Sequence, residues 1–235
     1  MRTIFIDSVD STNDYLKRIV EKYTYISDLL SVVAYEQKSG RGRFDRKWIS
    51  SIDSLTFSIL LSSLENMYQV SLVTANSLVI TLKNYGLNNV YIKWPNDVYL
   101  NDKKVSGILL ENIGKYVIVG IGINVNQLSF PDEIKNSISI RIAKGDVIDK
   151  DIFYHDLVKN FLKCYKEWII NPAAAMSKIK ENIGWIGKKV KLVGIDNSIE
   201  GVIEGIDING FLLLKKDDGN IAKITSGEIS ICLQA

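Results

Sequence analysis

Two apolar runs, residues 31–37 and 55–60, are joined by a segment too long for an ordinary hairpin. That segment constrains the fold more than any other stretch. Both runs are short and rich in β-branched and aromatic residues, which reads as a pair of buried strands. Between them lies Gly40-Arg41-Gly42-Arg43-Phe44-Asp45-Arg46-Lys47-Trp48. Long loops inside compact domains are usually functional or disordered. Gly40 and Gly42 let the backbone adopt positive φ and come close to a ligand. Arg41 and Arg43 offer guanidinium forks that suit carboxylate or phosphate in bidentate geometry, and Trp48 can close a site as an aromatic wall. A solvated basic loop tip is the alternative. The glycine–arginine alternation and the closing tryptophan favour a binding loop.

The remaining pattern fills in an α/β domain. Residues 3–6 read as a first strand. Ser11-Thr12-Asn13-Asp14 reads as a helix start, with Ser11 as cap and Asp14 in the first turn. The helix behind it carries Tyr15, Leu16, Ile19, Val20 and Tyr23 on one face. Residues 68–84 have helical periodicity, and Gly86 sits where a C′ residue belongs. Strands over 90–93, 98–100, 104–110 and 116–125 follow in meander style, with Trp94-Pro95-Asn96-Asp97 and Asn101-Asp102-Lys103 as turns. Residues 153–169 form an amphipathic helix that Asn171-Pro172 ends, and a shorter helix spans 173–179. From Trp185 the chain becomes short alternating runs (189–193, 199–206, 211–215, 221–224, 229–233) separated by turn residues, the pattern of a small all-β barrel. The expected fold is an α/β (α+β) domain over 1–184, with a mixed β-sheet flanked by helices. A small SH3-like β-barrel over 185–235 follows a boundary near Gly184.

Composition removes several kinds of chemistry. A formal net charge of +2 over 235 residues gives no global field for nucleic acid, so cationic function must be local. It is local here: five cations from Lys38 to Lys47 face one carboxylate, Asp45. His155 is the only histidine, and Cys164 and Cys232 are the only cysteines. A zinc site and a disulfide framework are therefore not expected. Gly120-Ile121-Gly122-Ile123-Asn124 lacks the third glycine and the following helix of a dinucleotide fingerprint, and no Gly-Lys-Ser/Thr phosphate loop occurs. The absence of an apolar leader or spanning run predicts a soluble, cytoplasmic protein. What remains is arginines, Lys104 at a strand start, and amides without an evident acid/base pair. Such a set suits reactions dominated by charge stabilisation and positioning, with phosphoryl or adenylyl transfer leading. For Lys104 the plainer reading is a solvated turn lysine.

Five motifs in order make a resemblance specific. Ser11-Thr12-Asn13 comes first. Gln37 with Gly40-Arg41-Gly42-Arg43 and Arg46-Lys47-Trp48 is next, then Lys93-Trp94-Pro95-Asn96-Asp97. Lys104-Val105-Ser106-Gly107 and Gly120-Ile121-Gly122-Ile123-Asn124 complete the series. The chain resembles the biotin protein ligases. That resemblance implies ATP and biotin as substrates, Mg²⁺ as a cofactor without named protein ligands, and a biotin carboxyl carrier protein or domain as acceptor. It implies that Ser11, Thr12, Asn13 and Gln37 line the biotin pocket, wrapped by Arg41, Gly42 and Arg43. Arg43 and Arg46 would point toward the phosphate, and Trp48 would stack on the adenylate. Lys104, with Arg43, would carry the catalytic charge between biotin carboxylate and α-phosphate, and Asn96 and Asn124 would face the nucleotide. It further implies a homodimer, and no membrane or specific nucleic acid as partner. Repressor activity is not expected, because no room precedes residue 3 for a helix-turn-helix. A lipoate or octanoate ligase is the enzyme rival, though its glycine-rich motif is not found here. The chain departs from the family at Ser51-Ile52-Asp53-Ser54-Leu55, where a Pro and a Gly-Gly pair are common. It departs again at Ser137-Ile138-Ser139-Ile140, often Ala-Thr-Ser-Leu.

Overall fold

The computed structural model describes residues 1–23, 26, 29–62, 66–193 and 198–231. The first part runs β1 (Arg2–Val9), α1 (Thr12–Lys22), β2 (Leu30–Gln37), β3 (Ser54–Ser62), α2 (Met67–Asn84), β4 (Val90–Lys93), β5 (Asp97–Leu100), β6 (Lys103–Ile113) and β7 (Tyr116–Asn124). Helices α3 (Ile140–Lys144), α4 (Lys150–Ile170) and α5 (Pro172–Lys180) complete it. The strands form one seven-stranded sheet in the order β1-β2-β3-β7-β6-β5-β4. β1 runs parallel to β2 and the other pairs are antiparallel, so the sheet is mixed as expected.

The two faces of the sheet have different coverings. Along β7, Val117, Val119, Ile121 and Ile123 point into the main core, against α2 and α4. α2 is apolar or small on nearly every side (Val70, Leu72, Val73, Ala75, Leu78, Val79 and Leu82 are buried), as befits a helix sandwiched between sheet and α4. The opposite face takes α1, whose Leu16 is fully buried with Val32, Leu60, Tyr116 and Ile118. Fully burying that one leucine is worth about 1.5–3 kcal/mol. Period-2 alternation then puts Gly120, Gly122 and Asn124 on the same face as Ile118. Beyond the end of α1 this face carries glycines instead of large apolar residues, and a cavity opens there.

The second part is a five-stranded antiparallel sheet, β8 (Lys189–Val193), β9 (Ser198–Ile206), β10 (Leu212–Lys215), β11 (Ile221–Ile224) and β12 (Glu228–Ile231), ordered β11-β10-β9-β8-β12. Asp207 builds its tightest turn by accepting bonds from the N–H groups of Asn209 and Phe211. The end of the expected 229–233 strand, Cys232 and Leu233, lies outside the described residues.

Local chemistry explains where the elements differ from the sequence reading. β1 extends to Arg2–Val9 because its parallel register with β2 runs from Arg2↔Leu30 to Val9↔Gln37. α4 starts at Lys150, earlier than the apolar periodicity, because the Asp149 carboxylate accepts from the N–H groups of Asp151 and Ile152. The short α3 was not expected. Ser139 caps it and Gly145 ends it in the left-handed region at φ 90°.

Candidate active site

One cavity of about 460 Å³ gathers residues from every motif of the sequence reading. Ser11, Thr12 and Asn13 reach it from the start of α1, and Gln37 from the end of β2. Arg41, Gly42, Arg43, Arg46 and Trp48 come from the long loop. Asn96 comes from the β4–β5 turn, Lys104 from β6 and Asn124 from β7. Ile229 of β12 and Gly227 just before that strand also line it.

At one end the polar groups are buried and bonded to each other. Ser11, Thr12 and Asn13 are buried because α1 begins against β2 and β3. Gln37 Oε1 accepts from the Thr12 N–H at 3.0 Å and from its hydroxyl at 3.3 Å. The fully buried Ser58 hydroxyl lies 2.6 Å from Thr12 Oγ1 and 2.5 Å from Asn13 Oδ1, and can donate to one at a time. Asn13 Nδ2 donates to Glu111 Oε2 at 2.6 Å. Gly120 leaves the room for this, since a Cβ there would fall 2.4 Å from Asn13 Oδ1.

The loop is tied to both walls. Trp48 N–H donates to Gly40 O at 2.9 Å, Gly42 N–H to Arg46 O at 2.7 Å, and Arg41 bridges Lys47. Neither Gly40 nor Gly42 uses the positive φ that glycine permits; Gly42 is extended at φ −113°. The left-handed residue is Phe44, at φ 56°. Gly40 is required for closeness instead, because a Cβ there would sit 2.5 Å from the Trp48 carbonyl oxygen. The Trp48 ring packs onto the β7 backbone, where a Cβ on Gly122 would come within 2.2 Å of it. Its buried Nε1 has no acceptor among the described residues. Arg41 forms a bidentate pair with Asp14, at 2.8 and 2.6 Å.

The other end holds charges. Lys104 Nζ is 2.7 Å from Asp97 Oδ1, an ion pair without a well-directed hydrogen bond, and 5.9 Å from the Trp48 ring centre. A bulge aims this lysine. The β5–β6 register passes from Val98↔Ser106 to Tyr99↔Lys104, so Val105 is the extra residue and turns into the core. Lys104 is also held by its backbone, donating to Asn136 O and accepting from Ile138 N–H. Arg43 Nη1 donates to Asn96 Oδ1 at 3.1 Å, and Asn96 Nδ2 donates to Ile108 O at 2.9 Å. Asn124 is buried and bonds to Gln127 and the Lys104 carbonyl, so its amide is already engaged.

Four residues around this cavity were not singled out from the sequence as site residues. Ser58 looked like one residue of a strand, Asp97 a turn residue, Asp14 a first-turn acid and Glu111 a strand-end acid. Burial raises the Glu111 carboxyl, but hydrogen bonds from Lys17 and Asn13 and the Arg41 charge outweigh that and hold it below its ordinary range. Asp14 is likewise raised by burial and lowered further by Arg41 and Lys17. The departure at 51–55 is also accommodated. Ser54 N–H donates to Ser51 O, Ser51 N–H donates to Ser54 Oγ, and Lys150 Nζ donates to the carbonyls of Ile52 and Ser54. No residue of this turn needs positive φ.

Comparison with known proteins gives the family. Residues 5–127 match the Biotin/lipoate A/B protein ligase family and residues 185–231 the Biotin protein ligase C terminal domain. The chain belongs to the biotin/lipoate A/B protein ligase family. It is 31% identical to the bifunctional ligase/repressor BirA of Salmonella typhimurium, over 95% of this chain and 72% of that protein. It is 29% identical to the biotin–[acetyl-CoA-carboxylase] ligase of Paracoccus denitrificans, over 80% of this chain and 85% of that one. The structure of biotin protein ligase from Aquifex aeolicus in complex with biotin and ATP superposes with a TM-score of 0.89 at 34% identity, covering 99% of each chain. Within the family the chain is thus a biotin protein ligase.

Proposed function

We propose that this cavity makes biotinyl-5′-AMP and that the chain passes biotin to one lysine of a biotin carboxyl carrier protein or domain. The observation that carries the reading is the division of the cavity into a buried neutral end and a charged end, bridged by the arginine loop. Biotin would lie with its ureido ring toward Ser11, Thr12, Asn13 and Gln37, and its carboxylate toward Lys104. ATP would take the side of Asn96, Asn124 and Arg46, with Trp48 against the adenylate. The carboxylate oxygen attacks the α-phosphorus, the bond to pyrophosphate breaks, and pyrophosphate leaves. Lys104 and Arg43 offset the charge that develops on the phosphoryl oxygens. The carrier amine then attacks the acyl carbon, AMP departs, and the amine loses its proton.

Mg²⁺ fits this site as a companion of the phosphates. Asp97 is a hard donor, the amide oxygens of Asn96 and Asn124 are already engaged by Arg43 and Gln127, and no cluster of three or more metal-binding side chains occurs among the described residues. The ion would supply charge neutralisation on ATP, with Asp97 as its protein carboxylate.

Three narrower statements complete the reading. The loop cations Arg41 and Arg43 turn to Asp14 and Asn96 rather than outward, which supports a ligase without repressor activity or specific DNA binding. Edge strand β4 is covered by residues 182–184, through Ile92 N–H to Asn182 O and Gly184 N–H to Ile92 O. β1 forms the other sheet edge, so we place a homodimer contact there. The cytoplasm, where ATP is available, is the location we assign, with no membrane partner. The test is to incubate the protein with biotin, ATP, Mg²⁺ and a carrier domain. One biotin should be gained on one carrier lysine by mass spectrometry; unmodified carrier would reject the reading.

A further inference from the structure

We infer that Asp14 and Glu111 are positioning residues forming a two-point latch, which fastens the arginine loop to the wall of the biotin pocket. The inference rests on the function proposed above and extends it to two carboxylates that this function leaves unused. Asp14 grips both Nη atoms of Arg41, at 2.8 and 2.6 Å. Glu111 uses both of its oxygens: Oε2 receives Asn13 Nδ2 at 2.6 Å, while Oε1 receives Lys17 Nζ at 2.7 Å and Arg41 Nη2 at 3.3 Å. One carboxylate therefore touches a loop arginine and a pocket amide together.

The geometry makes the amide a fixed part. Asn13 Oδ1 faces the Ser58 hydroxyl at 2.5 Å, and flipping the amide would set its carbonyl oxygen against the Glu111 carboxylate. The pocket wall and the loop therefore share one set of partners. Two carboxylates meet two cations, and the side chains are 22–40% exposed, so removing either acid leaves an unbalanced cation in a partly buried place. A solvated pair of this kind contributes little. A bidentate guanidinium pair linked to a buried amide is stronger and more directional.

The two acids divide the work. Asp14 touches Arg41 and Lys17 but not Asn13, so its loss frees the loop and leaves the pocket wall in place. Glu111 touches Asn13 as well, so its loss disturbs both.

The experiment compares two rates in the full chain. Without carrier, Asp14→Asn should raise release of biotinyl-AMP into solution by about three- to tenfold while the KM for biotin stays within about twofold. Asp14→Glu should return release toward the original value. Glu111→Gln should raise release and also the KM for biotin. Arg41→Gln, which loses the Glu111 contact as well, should raise release at least as much as Asp14→Asn, and the double variant should not exceed Arg41→Gln, because Asp14 holds the loop through Arg41. Unchanged release in Asp14→Asn, an equal KM change in both acid variants, or full additivity with Arg41→Gln would overturn the latch alone. Absence of biotin-dependent pyrophosphate exchange in the unsubstituted protein would overturn the latch and the function together.

Discussion

The two ends of the cavity are built on opposite principles. At the Ser11–Gln37 end the groups are neutral and mostly buried, and Thr12, Asn13, Gln37 and Ser58 are bonded together from elements far apart in the chain: α1, β2 and β3. At the Lys104 end they are charged or polar, partly exposed and paired between elements, Arg43 of the loop with Asn96 of the β4–β5 turn and Lys104 of β6 with Asp97 of β5. A neutral wall already in place selects a polar ligand with little reordering. An ion pair must give up a partner to accept a phosphate or carboxylate, so that end suits stabilising charge as it develops. Selection and catalysis thus fall to different ends.

The sharpest way to break this comparison is to offer the wrong acid. The neutral end is built to bond a ureido ring, and a site of that kind rejects an analogue lacking the polar groups by about 10⁴ or more. Pyrophosphate exchange should accordingly follow biotin and ignore lipoate and octanoate. Comparable rates would mean that the neutral end does not select.

The charged end should respond through rate. Lys104→Ala is expected to lose adenylation by roughly 10²–10³-fold in single turnover, the scale of one charge-stabilising donor. Its fold should survive, since the Lys104 backbone bonds to Asn136 and Ile138 remain. Near-normal turnover in a folded variant would refute the assignment.

A smaller effect is expected where the loop joins the two ends. Arg43→Gly removes the bond to Asn96 and should weaken ligand affinity by about tenfold, with adenylate escaping to acylate exposed lysines nearby. Trypsin offers a companion reading. Ordering a fully disordered nine-residue loop would cost about 9–18 kcal/mol, more than micromolar binding returns at about 8 kcal/mol. The backbone ties of Gly40, Gly42 and Trp48 reduce that cost in advance. Cleavage after Arg43, Arg46 or Lys47 should be suppressed by biotin with ATP, and identical cleavage in both states would rule out a lid.

The smallest effect concerns pH. Asp14 and Glu111 both titrate below their ordinary range in the folded chain, held there by Arg41 and Lys17 against the upward push of burial. A depressed carboxylate stabilises the fold above its unfolded pKa and loses that contribution as pH falls through the folded value. Thermal stability attributable to these pairs, taken from Asp14→Asn against the parent, should be flat from pH 8 to about 5, begin to fall at about 4 and be lost only as pH passes the lower folded value. A difference that fades nearer pH 7 would contradict the sign.

Much of this was legible in the chain because the evidence was local. Alternation located the strands, and each motif is a few residues long, so the residues of all five could be named before their meeting place was known. What was not legible depends on approach between distant segments. Glu111 meets Asn13 across 98 positions and Arg41 across 70, and Gln37 meets Thr12 across 25. Ser58 was unremarked because a strand serine carries no signal of the hydroxyl it faces. The glycines are a similar case: a sequence shows that Gly40 and Gly42 permit positive φ and close approach, but only packing reveals that Gly40 is needed to clear the Trp48 carbonyl. At 51–55, Lys150 supplies from α4 the bonds that hold a turn without glycine.

The central claim is that this cavity breaks ATP at the α-phosphorus. Mixing the unsubstituted protein with biotin, ATP and Mg²⁺, without carrier, and analysing the quenched products by mass spectrometry tests it directly. The account predicts biotinyl-AMP at about one per chain with an equal amount of pyrophosphate. ADP with phosphate, or no biotin-dependent product, would contradict it.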